Sequence, residues 1–338
     1  MTFEEVRLQA KTRLGGKCKA CPVCNGAACR DVIPGPGAKG DIAVRNYDAW
    51  QKIRVNMDTI CENRPVDLSL RLFGREFRYP FFAGPVGAVY LHYGEALDDE
   101  RYNEILVPAC RDAGICAFTG DGTNYEVMKG AARCIRDAGG TGIPTVKPWN
   151  LGTIRDKLEL VRQSGAFAVA MDIDAAGLPF LKGLTPPAGS KTVEELREIV
   201  KLSGVPFLVK GIMTVKGARK ALEAGASGIV VSNHGGRVLA GCPATAEVLP
   251  EIVEALKGSG MTILVDGGLR SGTDIFKALA LGADAALLAR PYVTAVYGGG
   301  AAGVQALTEK LAAELEAVMS MCGAHSLEEI TPDMVRLF

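Results

Sequence analysis

From about residue 80 onward, short apolar runs alternate with longer segments in which apolar residues recur at helical spacing. A small or polar turn separates each run from the segment that follows it. This alternation predicts a strand at each run and a helix at each segment. The predicted strands are Phe81–Ala88, Ile115–Gly120, Ile143–Trp149, Phe167–Asp172, Pro206–Ile212, Gly228–Ser232, Thr262–Asp266 and Ala285–Ala289. The predicted helices include Thr192–Leu202, Val215–Ala224, Ala244–Leu256 and Ser271–Leu281.

Eight strands in regular alternation with helices are the count of a (β/α)8 TIM barrel. An open, doubly wound sheet shows the same alternation and is the competing architecture. The last helix, predicted over 302–321, would cover the outside of the barrel. We therefore expect a single α/β barrel domain over residues 41–338, preceded by an N-terminal segment, residues 1–40, whose composition and periodicity differ.

The N-terminal segment begins with a predicted helix over residues 3–14, which ends at Gly15-Gly16. Residues 17–40 are rich in Cys, Gly and Pro and show little periodicity. We expect such a segment to lack regular secondary structure and to need stabilising interactions from outside itself.

Polar and charged side chains follow the predicted strands directly. In a TIM barrel the carboxyl ends of the strands meet on one face, and the chemistry gathers there. We therefore expect a single site built from residues that include Thr119, Lys147, Asp172, Lys210, Ser232, His234, Arg237, Asp266 and Arg290.

Composition narrows the class of protein further. Hydrophobic residues make up 48% of the chain and charged residues 22%, as in globular enzymes. Lys+Arg and Asp+Glu balance at 38 each, so neither nucleic acid nor an anionic membrane is expected as a partner. No apolar run predicts a membrane span, and the N-terminus lacks the apolar stretch of a signal peptide. Cysteines scattered through apolar runs favour a reducing, cytoplasmic location.

The last two strands end in motifs that suit a phosphate group. Strand seven ends in VDGGLRSGTD and strand eight in LLARPY, the two places where this fold usually binds phosphate. Gly267 and Gly268 let backbone N–H groups approach an anion, and a helix N-terminus follows at Ser271. Arg270 and Arg290 add charged donors. A tight turn with two surface arginines is the alternative, which the pairing at both strand ends disfavours.

The segment SNHGGR, with VKGI upstream and VDGGLRSGTDIFKALALGAD downstream, resembles the FMN-dependent 2-hydroxy-acid oxidase and dehydrogenase family. That family includes glycolate oxidase, lactate oxidase and flavocytochrome b2. The resemblance is dense from about Thr192 to Ile330 and looser from Gly37 to Gly177, and it does not reach the cysteine-rich start. It implies a TIM barrel that binds FMN and oxidises a small, lactate-like 2-hydroxy acid to the 2-oxo acid.

The resemblance also implies roles for individual residues. His234 would be the general base, Asp172 the carboxylate that orients it, and Arg237 the group that holds the substrate carboxylate. Lys210 would lie beside flavin N1 and O2 and stabilise the anionic reduced flavin. The remaining FMN contacts implied by the family are Pro85, Val86, Gly87, Thr119, Lys147, Ser232, Asp266, Gly267, Gly268, Arg270, Ala289 and Arg290.

These roles agree with the chemistry of the reaction. Oxidising a 2-hydroxy acid removes one proton and the equivalent of a hydride; a histidine suits the proton, and a flavin suits the electrons. An arginine fork fixes a carboxylate with two hydrogen bonds. The electron acceptor after the flavin is oxygen or a redox partner, and relatives suggest a homo-oligomer. The alternatives are an isomerase like the type 2 isopentenyl diphosphate isomerase, and a flavin redox carrier or sensor.

The chain departs from the family where the substrate should bind. The family supplies a tyrosine after strand three, two residues beyond a glutamine; here Trp149 and Lys147 occupy these positions. A second tyrosine is missing from the stretch 32–38. Ala170 stands where a threonine is expected and Ala289 where a glycine is expected. We therefore expect Trp149 to border the substrate or to pack in the core, and Lys147 to bring a cation toward the flavin.

Four cysteines lie within twelve residues in the pattern Cys18-x2-Cys21-x2-Cys24-x4-Cys29. Two short spacings in a row suit a metal centre, either an iron–sulfur cluster or a structural zinc. A disulfide or free thiols are the alternatives, since no single ligand pattern is matched closely. We also expect this segment to fold over the barrel mouth, in place of the missing N-terminal tyrosine.

Overall fold

The computed structural model describes residues 1–15, 18–29, 41–181, 183–185 and 187–337. Eight parallel strands form one sheet in which each strand pairs with its neighbours in chain order. They are β1 (Phe81–Ala83), β2 (Phe118–Thr119), β3 (Ile143–Val146), β4 (Val169–Asp172), β5 (Phe207–Ile212), β6 (Gly228–Val231), β7 (Thr262–Val265) and β8 (Ala285–Leu288). β8 pairs with β1, and a bridge between Ala83 and Ala117 joins β1 to β2. The sheet therefore closes into a (β/α)8 barrel, and the open-sheet alternative is excluded.

Eleven α-helices are found in the described residues. They are α1 (Phe3–Arg13), α2 (Ile42–Lys52), α3 (Val89–Tyr93), α4 (Asp99–Asp112), α5 (Tyr125–Asp137), α6 (Leu151–Ser164), α7 (Val193–Ser203), α8 (Val215–Glu223), α9 (Thr245–Leu256), α10 (Gly272–Ala280) and α11 (Arg290–Met321). Side-chain caps begin several of them: Asn150 starts α6, Thr192 starts α7 and Ser271 starts α10. These caps satisfy N–H groups that a helix end leaves without partners.

Most barrel strands are buried on both faces, because their side chains point either into the barrel or toward the surrounding helices. This explains why the predicted strands read as continuous apolar runs. Some predicted strands extend beyond the observed ones, because the apolar run continues after the chain has left the sheet. Phe81–Ala88 was expected, but β1 stops at Ala83, since the chain leaves the sheet at Gly84 while apolar residues continue into the mouth loop.

The final helix also differs from its prediction. A start at residue 302 was expected, but α11 begins at Arg290, immediately after β8. Gly300 interrupts it with a left-handed conformation, φ 56° and ψ −137°. The run Gly298-Gly299-Gly300 has a low helix propensity, so the sequence does not predict the first three turns of α11, which precede it.

The short strands outside the barrel tie together distant parts of the chain. Arg54–Val55 pairs antiparallel with Val335–Arg336, and Leu70–Leu72 forms a hairpin with Arg75–Phe77. Helix α1 packs against α11, where Val6 rests on Gly298. Among the described helices, none has the length and apolar character that crossing a membrane requires.

Candidate active site

Every barrel residue predicted for the site lies at the carboxyl end of its strand or in the loop that follows. Thr119 ends β2, Asp172 ends β4 and Lys210 lies in β5. The remaining predicted residues follow β1 (Pro85, Val86, Gly87), β3 (Lys147, Trp149), β6 (Ser232, His234, Arg237), β7 (Asp266, Gly267, Gly268, Arg270) and β8 (Ala289, Arg290). Since the sheet is closed and parallel, all of these positions share one mouth.

His234 sits in a short 3-10 turn, His234–Gly236, with an unusual backbone. Its φ is 57°, and Gly235 and Gly236 follow at 66° and 88°. Left-handed conformations are costly for residues with a Cβ, and histidine is one of the few that adopt them with some frequency. A strained backbone of this kind is concentrated at functional sites. The two glycines complete the turn at little cost, which accounts for the local sequence HGG.

Helix α2 braces this turn from the N-terminal side. The side-chain amides of Asn46 and Asn233 exchange two buried hydrogen bonds, 2.8 and 2.9 Å long. A Cβ on Gly236 would lie 3.1 Å from the backbone N of Ala43. The close contact leaves no room for movement, so α2 fixes the position of the loop that carries His234. Sequence reasoning gave Asn46 no role, because its partner is 187 residues away.

Two carboxylates approach the His234 ring from the end of β4. Asp174 Oδ1 lies 3.0 Å from Nδ1, whereas Asp172 Oδ2 lies 3.9 Å from Nε2. All three side chains are almost fully buried. The family resemblance implies the orienting role for Asp172 and implies none for Asp174. The signal for Asp174 was its place two residues further along the same polar strand end.

The pKa of His234 is held well below its ordinary value of 6.5. Burial is the main cause, and the nearby cations Lys210, Arg237 and Lys147 add to it, while Asp172 acts in the opposite direction. The ring is therefore neutral at neutral pH. A neutral imidazole has a free lone pair, which a proton acceptor requires.

Lys210 points into the same space. Its Nζ donates to Ser232 Oγ at 3.0 Å and lies 3.4 Å from Asp266 Oδ2. Burial disfavours the ammonium, but Asp266, Asp174 and Asp172 outweigh it and raise the Lys210 pKa above its usual value. The mouth therefore holds a permanent positive charge at this point.

Arg237 is the second cation beside His234. One of its terminal nitrogens lies 3.2 Å from His92 Nε2, and burial lowers the guanidinium pKa from its usual value. The partly buried phenol of Tyr93 lies close by: desolvation raises its pKa to about 12, and Arg290 and Arg237 oppose that rise. Helix α3 thus brings a phenol and an imidazole to the mouth, where sequence reasoning found tyrosines missing.

Arg290 and Arg270 mark the predicted phosphate end. Arg290 Nη1 is buried with no hydrogen-bond partner among the described residues, and the same is true of Thr119 Oγ1 and Asp266 Oδ1. Buried polar atoms are rarely left without partners. The polar groups of FMN can supply these partners: phosphate oxygens for the arginine, and hydroxyl and ring groups for Thr119 and Asp266. The residues present therefore fit FMN.

Gly267 and Gly268 also serve the packing of α2. A Cβ on Gly268 would lie 2.3 Å from the Asn46 carbonyl oxygen, and the Trp50 indole donates to the Gly267 carbonyl at 2.8 Å. The glycines therefore allow a helix to approach the phosphate loop. Their expected contact with an anion stays a prediction.

Lys147 and Trp149 belong to a buried polar network that sequence reasoning did not foresee. Lys147 Nζ donates to Asp172 Oδ2 at 3.0 Å. The Trp149 indole donates to Asp121 Oδ2 at 2.6 Å, and Lys157 Nζ donates to Asp121 Oδ1 at 2.5 Å. The polar edge of Trp149 is thus already used within the protein, so any contact with substrate would come from the ring. Its predicted substrate role stays a prediction.

The cysteine-rich segment reaches the phosphate end. Arg270 Nε donates to the Cys24 carbonyl oxygen at 2.8 Å. Burial raises the pKa of the Cys24 thiol, but Arg270 and Arg290 outweigh it and leave the pKa below its usual value. The stretch 32–38, where a tyrosine is missing, lies outside the described residues.

The four N-terminal cysteines, Cys18, Cys21, Cys24 and Cys29, are free thiols. Burial and the neighbouring cysteines raise the pKa of Cys18 to about 11. Within the described residues, no group of three or more His, Cys, Asp or Glu side chains is arranged to hold a metal ion. The predicted iron–sulfur or zinc site is therefore not confirmed, and the disulfide alternative finds no support.

The structure is thus a closed barrel with arginines after its last two strands and a neutral, largely buried histidine at the same mouth, an arrangement that suits an oxidoreductase with a phosphate-bearing cofactor. The chain belongs to the FMN-dependent dehydrogenase family, whose sequence profile matches residues 28–180 and 180–337. FMN as cofactor and an oxidoreductase acting on CH–OH groups follow from this membership.

Individual relatives agree with the family. The chain is 32% identical over 334 residues to a peroxisomal (S)-2-hydroxy-acid oxidase of Oryza sativa subsp. japonica, which covers 89% of each chain. It is 33% identical over 355 residues to a 4-hydroxymandelate oxidase of Amycolatopsis orientalis, which covers 89% of this chain and 93% of the relative. An L-lactate oxidase of Roseobacter sp. (strain GAI101) is 42% identical over 147 residues, 44% of this chain and 40% of the relative.

Solved structures show the same fold. A mandelate oxidase variant bound to 2-hydroxy-phenylacetamide matches with a TM-score of 0.80 and 27% identity, covering 99% of this chain and 98% of that one. A mandelate oxidase variant carrying a C4a-OH-FMN adduct matches with a TM-score of 0.76 and 29% identity, covering 97% of both. A flavocytochrome b2 variant, at 24% identity and TM-score 0.81 over 99% of this chain and 86% of that one, supports the fold alone.

Proposed function

We propose that the protein oxidises a small, lactate-like 2-hydroxy acid to the 2-oxo acid. The observation that carries this proposal is a pair of groups on one loop: His234, whose side chain is 11% exposed and whose pKa is lowered by burial, and the partly buried Arg237 three residues further on. A neutral base beside a fixed guanidinium suits a substrate that has a carboxylate next to a hydroxyl group. FMN, when bound, accepts the two electrons of the oxidation.

The protein's own residues hold the substrate and move the proton. Arg237 holds the substrate carboxylate, which aims the neighbouring carbon and hydroxyl at His234. His234 Nε2 accepts the proton, and Asp172, 3.9 Å from that atom, stabilises the imidazolium that results. Lys210 supplies positive charge on the side of Ser232 and Asp266, where it suits an anionic form of the cofactor.

The FMN contacts in this proposal fall into two groups. Arg270 and Arg290 hold the phosphate, together with backbone around Gly267, Gly268 and Ala289. The ring and ribityl chain would be held by Pro85, Val86, Gly87, Thr119, Lys147, Ser232 and Asp266. The buried atoms without partners at Arg290, Thr119 and Asp266 support this arrangement.

Anaerobic reduction by candidate substrates tests the proposal. The purified protein, loaded with FMN, is mixed with glycolate, lactate, mandelate and longer 2-hydroxy acids, and the flavin absorbance is followed. We expect a small 2-hydroxy acid to bleach the flavin and to yield one 2-oxo acid per flavin. A protein that binds FMN but is reduced by none of them would contradict the proposal and favour an isomerase or a redox carrier.

His234→Ala provides the residue-level test. The variant should keep FMN, because His234 lies outside the predicted phosphate site, but its flavin reduction should slow at least about 100-fold, as expected for loss of a general base. Reduction near the wild-type rate would remove His234 from its proposed role.

The electron acceptor, the assembly and the N-terminal cysteines complete the proposal. Reoxidation of the reduced protein by oxygen, compared with a quinone or a dye, separates an oxidase from a dehydrogenase. Light scattering after size-exclusion chromatography tests the proposed homo-oligomer.

Iron and zinc analysis of anaerobically purified protein tests for a metal at Cys18, Cys21, Cys24 and Cys29. A metal-free, fully active protein would exclude such a site. Fractionation of the native cells tests the proposed cytoplasmic location.

A further inference from the structure

The end of β4 carries two buried aspartates that have different partners. Asp174 faces His234 Nδ1 at 3.0 Å, within hydrogen-bond distance, while Asp172 is 3.9 Å from the other ring nitrogen. The closest partner of Asp172 is Lys147, whose Nζ donates to it at 3.0 Å. Each carboxylate thus has a separate task in the folded chain.

Lys147 accounts for this division. Its side chain is about as buried as that of Asp172, at 10% and 7% exposure, so the two charges neutralise each other out of water. A buried ion pair of this geometry is costly to break, because each partner would be left as an uncompensated charge. Asp172 is therefore held by the lysine and is not available to orient the imidazole.

Gly211 makes room for the second carboxylate. A Cβ at this position would lie 2.5 Å from Asp174 Cγ, a distance at which no side chain fits. Gly211 has a φ of 100°, which glycine adopts without strain. The bulge in β5 at Lys210–Ile212 coincides with this contact. The backbone of β5 is therefore shaped around Asp174.

We infer that Asp174, and not Asp172, is the positioning residue of His234, and that Lys147 is the reason for the exchange. This inference rests on the proposed function for its catalytic consequence. The Asp174 carboxylate accepts a hydrogen bond from Nδ1–H, which fixes the ring orientation and leaves the Nε2 lone pair free for the substrate proton. Asp172, paired with Lys147, makes no hydrogen bond to the ring and acts on it only through its negative charge, 3.9 Å from Nε2.

The tautomer of His234 tests the inference without turnover. The chain has three histidines, so nitrogen NMR of protein labelled with ¹⁵N-histidine resolves few signals, and His234→Gln assigns the relevant one. We expect Nδ1–H in the wild type. In Asp174→Asn the amide can donate to Nδ1 and favour Nε2–H, whereas Asp172→Asn should leave the Nδ1–H form in place. The opposite pattern, with a change in Asp172→Asn alone, would overturn the inference.

Flavin reduction gives the catalytic readout. Asp174→Asn should lower the rate constant by about 100-fold to 10,000-fold, as a wrong tautomer does, with KM changed little. The double variant Lys147→Gln/Asp174→Asn should recover at least tenfold over Asp174→Asn, because it releases Asp172 toward the ring. A double variant no faster than the single one would overturn the role given to Lys147, and a wild-type rate in Asp174→Asn would overturn that given to Asp174.

Asp284→Asn is the control, because Asp284 is also a hydrogen-bonded carboxylate but precedes β8 at the opposite end of the barrel, where it accepts from the Ile263 N–H at 2.7 Å. It should leave the tautomer and the reduction rate unchanged. If Asp174→Asn fails to fold or to bind FMN, Asp174→Ser removes the same charge with a smaller side chain. If no hydroxy acid reduces the wild type, the proposed function fails, and the tautomer experiment still decides the inference.

Discussion

At the scale of single residues, His234 is surrounded by charges of both signs. Lys210, Arg237 and Lys147 favour the neutral ring, and Asp172 favours the charged one, with Asp174 against Nδ1. Because the carboxyl ends of barrel strands meet on one face, the sequence could predict which residues would lie at the mouth. It could not predict which carboxylate would meet which nitrogen, because that depends on side-chain geometry between segments sixty residues apart.

The first prediction concerns the pH dependence of flavin reduction. Because the His234 pKa is depressed, the base stays neutral as pH falls through 6.5, and the acid limb of the rate profile should lie below that value. Lys147→Gln removes a cation that lowers the pKa and frees a carboxylate that raises it, so the limb should move to higher pH. Stopped-flow reduction across a pH series measures both. A limb that stays in place in Lys147→Gln would contradict the charge arrangement.

A second prediction concerns stability rather than catalysis. The Lys157–Asp121 ion pair is buried, with side chains 3% and 0% exposed, and Trp149 donates to the same carboxylate. Lys157→Met should lower the free energy of unfolding by about 3–5 kcal/mol, since it leaves a buried charge without its partner. Arg155→Met, which breaks the exposed pair with Glu198, should cost less than about 1 kcal/mol.

Urea unfolding followed by tryptophan fluorescence measures both variants, because Trp149 is one of only two tryptophans and lies against Lys157. Equal losses in the buried and exposed variants would show that burial of the pair carries no special energy.

At the scale of elements, the eight strands and their order could be predicted, because apolar runs followed by helical periods are a strong local signal. Their ends could not, because the chain leaves the sheet without a change in hydrophobicity. Helix α2 shows a further limit. Its residues are ordinary, and its importance arises from contacts with Asn233, Gly236 and Gly268, which lie in loops far along the chain.

The docking of α1 on α11 gives the third prediction. A Cβ on Gly298 would lie 2.0 Å from the Val6 carbonyl oxygen, so Gly298→Ala should force the two helices apart and cost about 1–3 kcal/mol. Gly130→Ala, inside α5 with its nearest neighbour atom at 3.6 Å, should instead stabilise the protein by about 0.5–1 kcal/mol.

Limited proteolysis reports on the same pair of variants. Gly298→Ala should expose α1 to cleavage sooner than the wild type, while Gly130→Ala should not. An unchanged cleavage rate in Gly298→Ala would mean that α1 adapts to the added methyl group.

At the scale of the whole molecule, the barrel mouth contains buried polar atoms that could form hydrogen bonds with a ligand. Arg290, Thr119 and Asp266 each bury an atom that lacks a hydrogen-bond partner in the described part of the chain. A ligand that forms hydrogen bonds with these atoms binds the folded state and not the unfolded one, and so stabilises the fold by mass action.

The fourth prediction follows from this linkage. FMN at about 100 times its Kd should raise the free energy of unfolding by about 2.7 kcal/mol, seen as a higher Tm in differential scanning fluorimetry read by intrinsic fluorescence. Arg290→Met should lose most of the shift, while Arg136→Met, at an exposed position on α5, should keep it. A shift that survives Arg290→Met would place the phosphate elsewhere.

The clasp between Asn46 and Asn233 also has a consequence for how the molecule is made. Its two halves are 187 residues apart, and the Arg54–Arg336 pairing joins residues still further apart. Contacts of such long sequence separation form late, since the loop between them must first be closed. During synthesis α2 emerges early, and Asn46 has no partner until Asn233, which follows β6, has also been synthesised. We therefore expect the mouth to be among the last parts of the protein to be completed, after the barrel around it has formed.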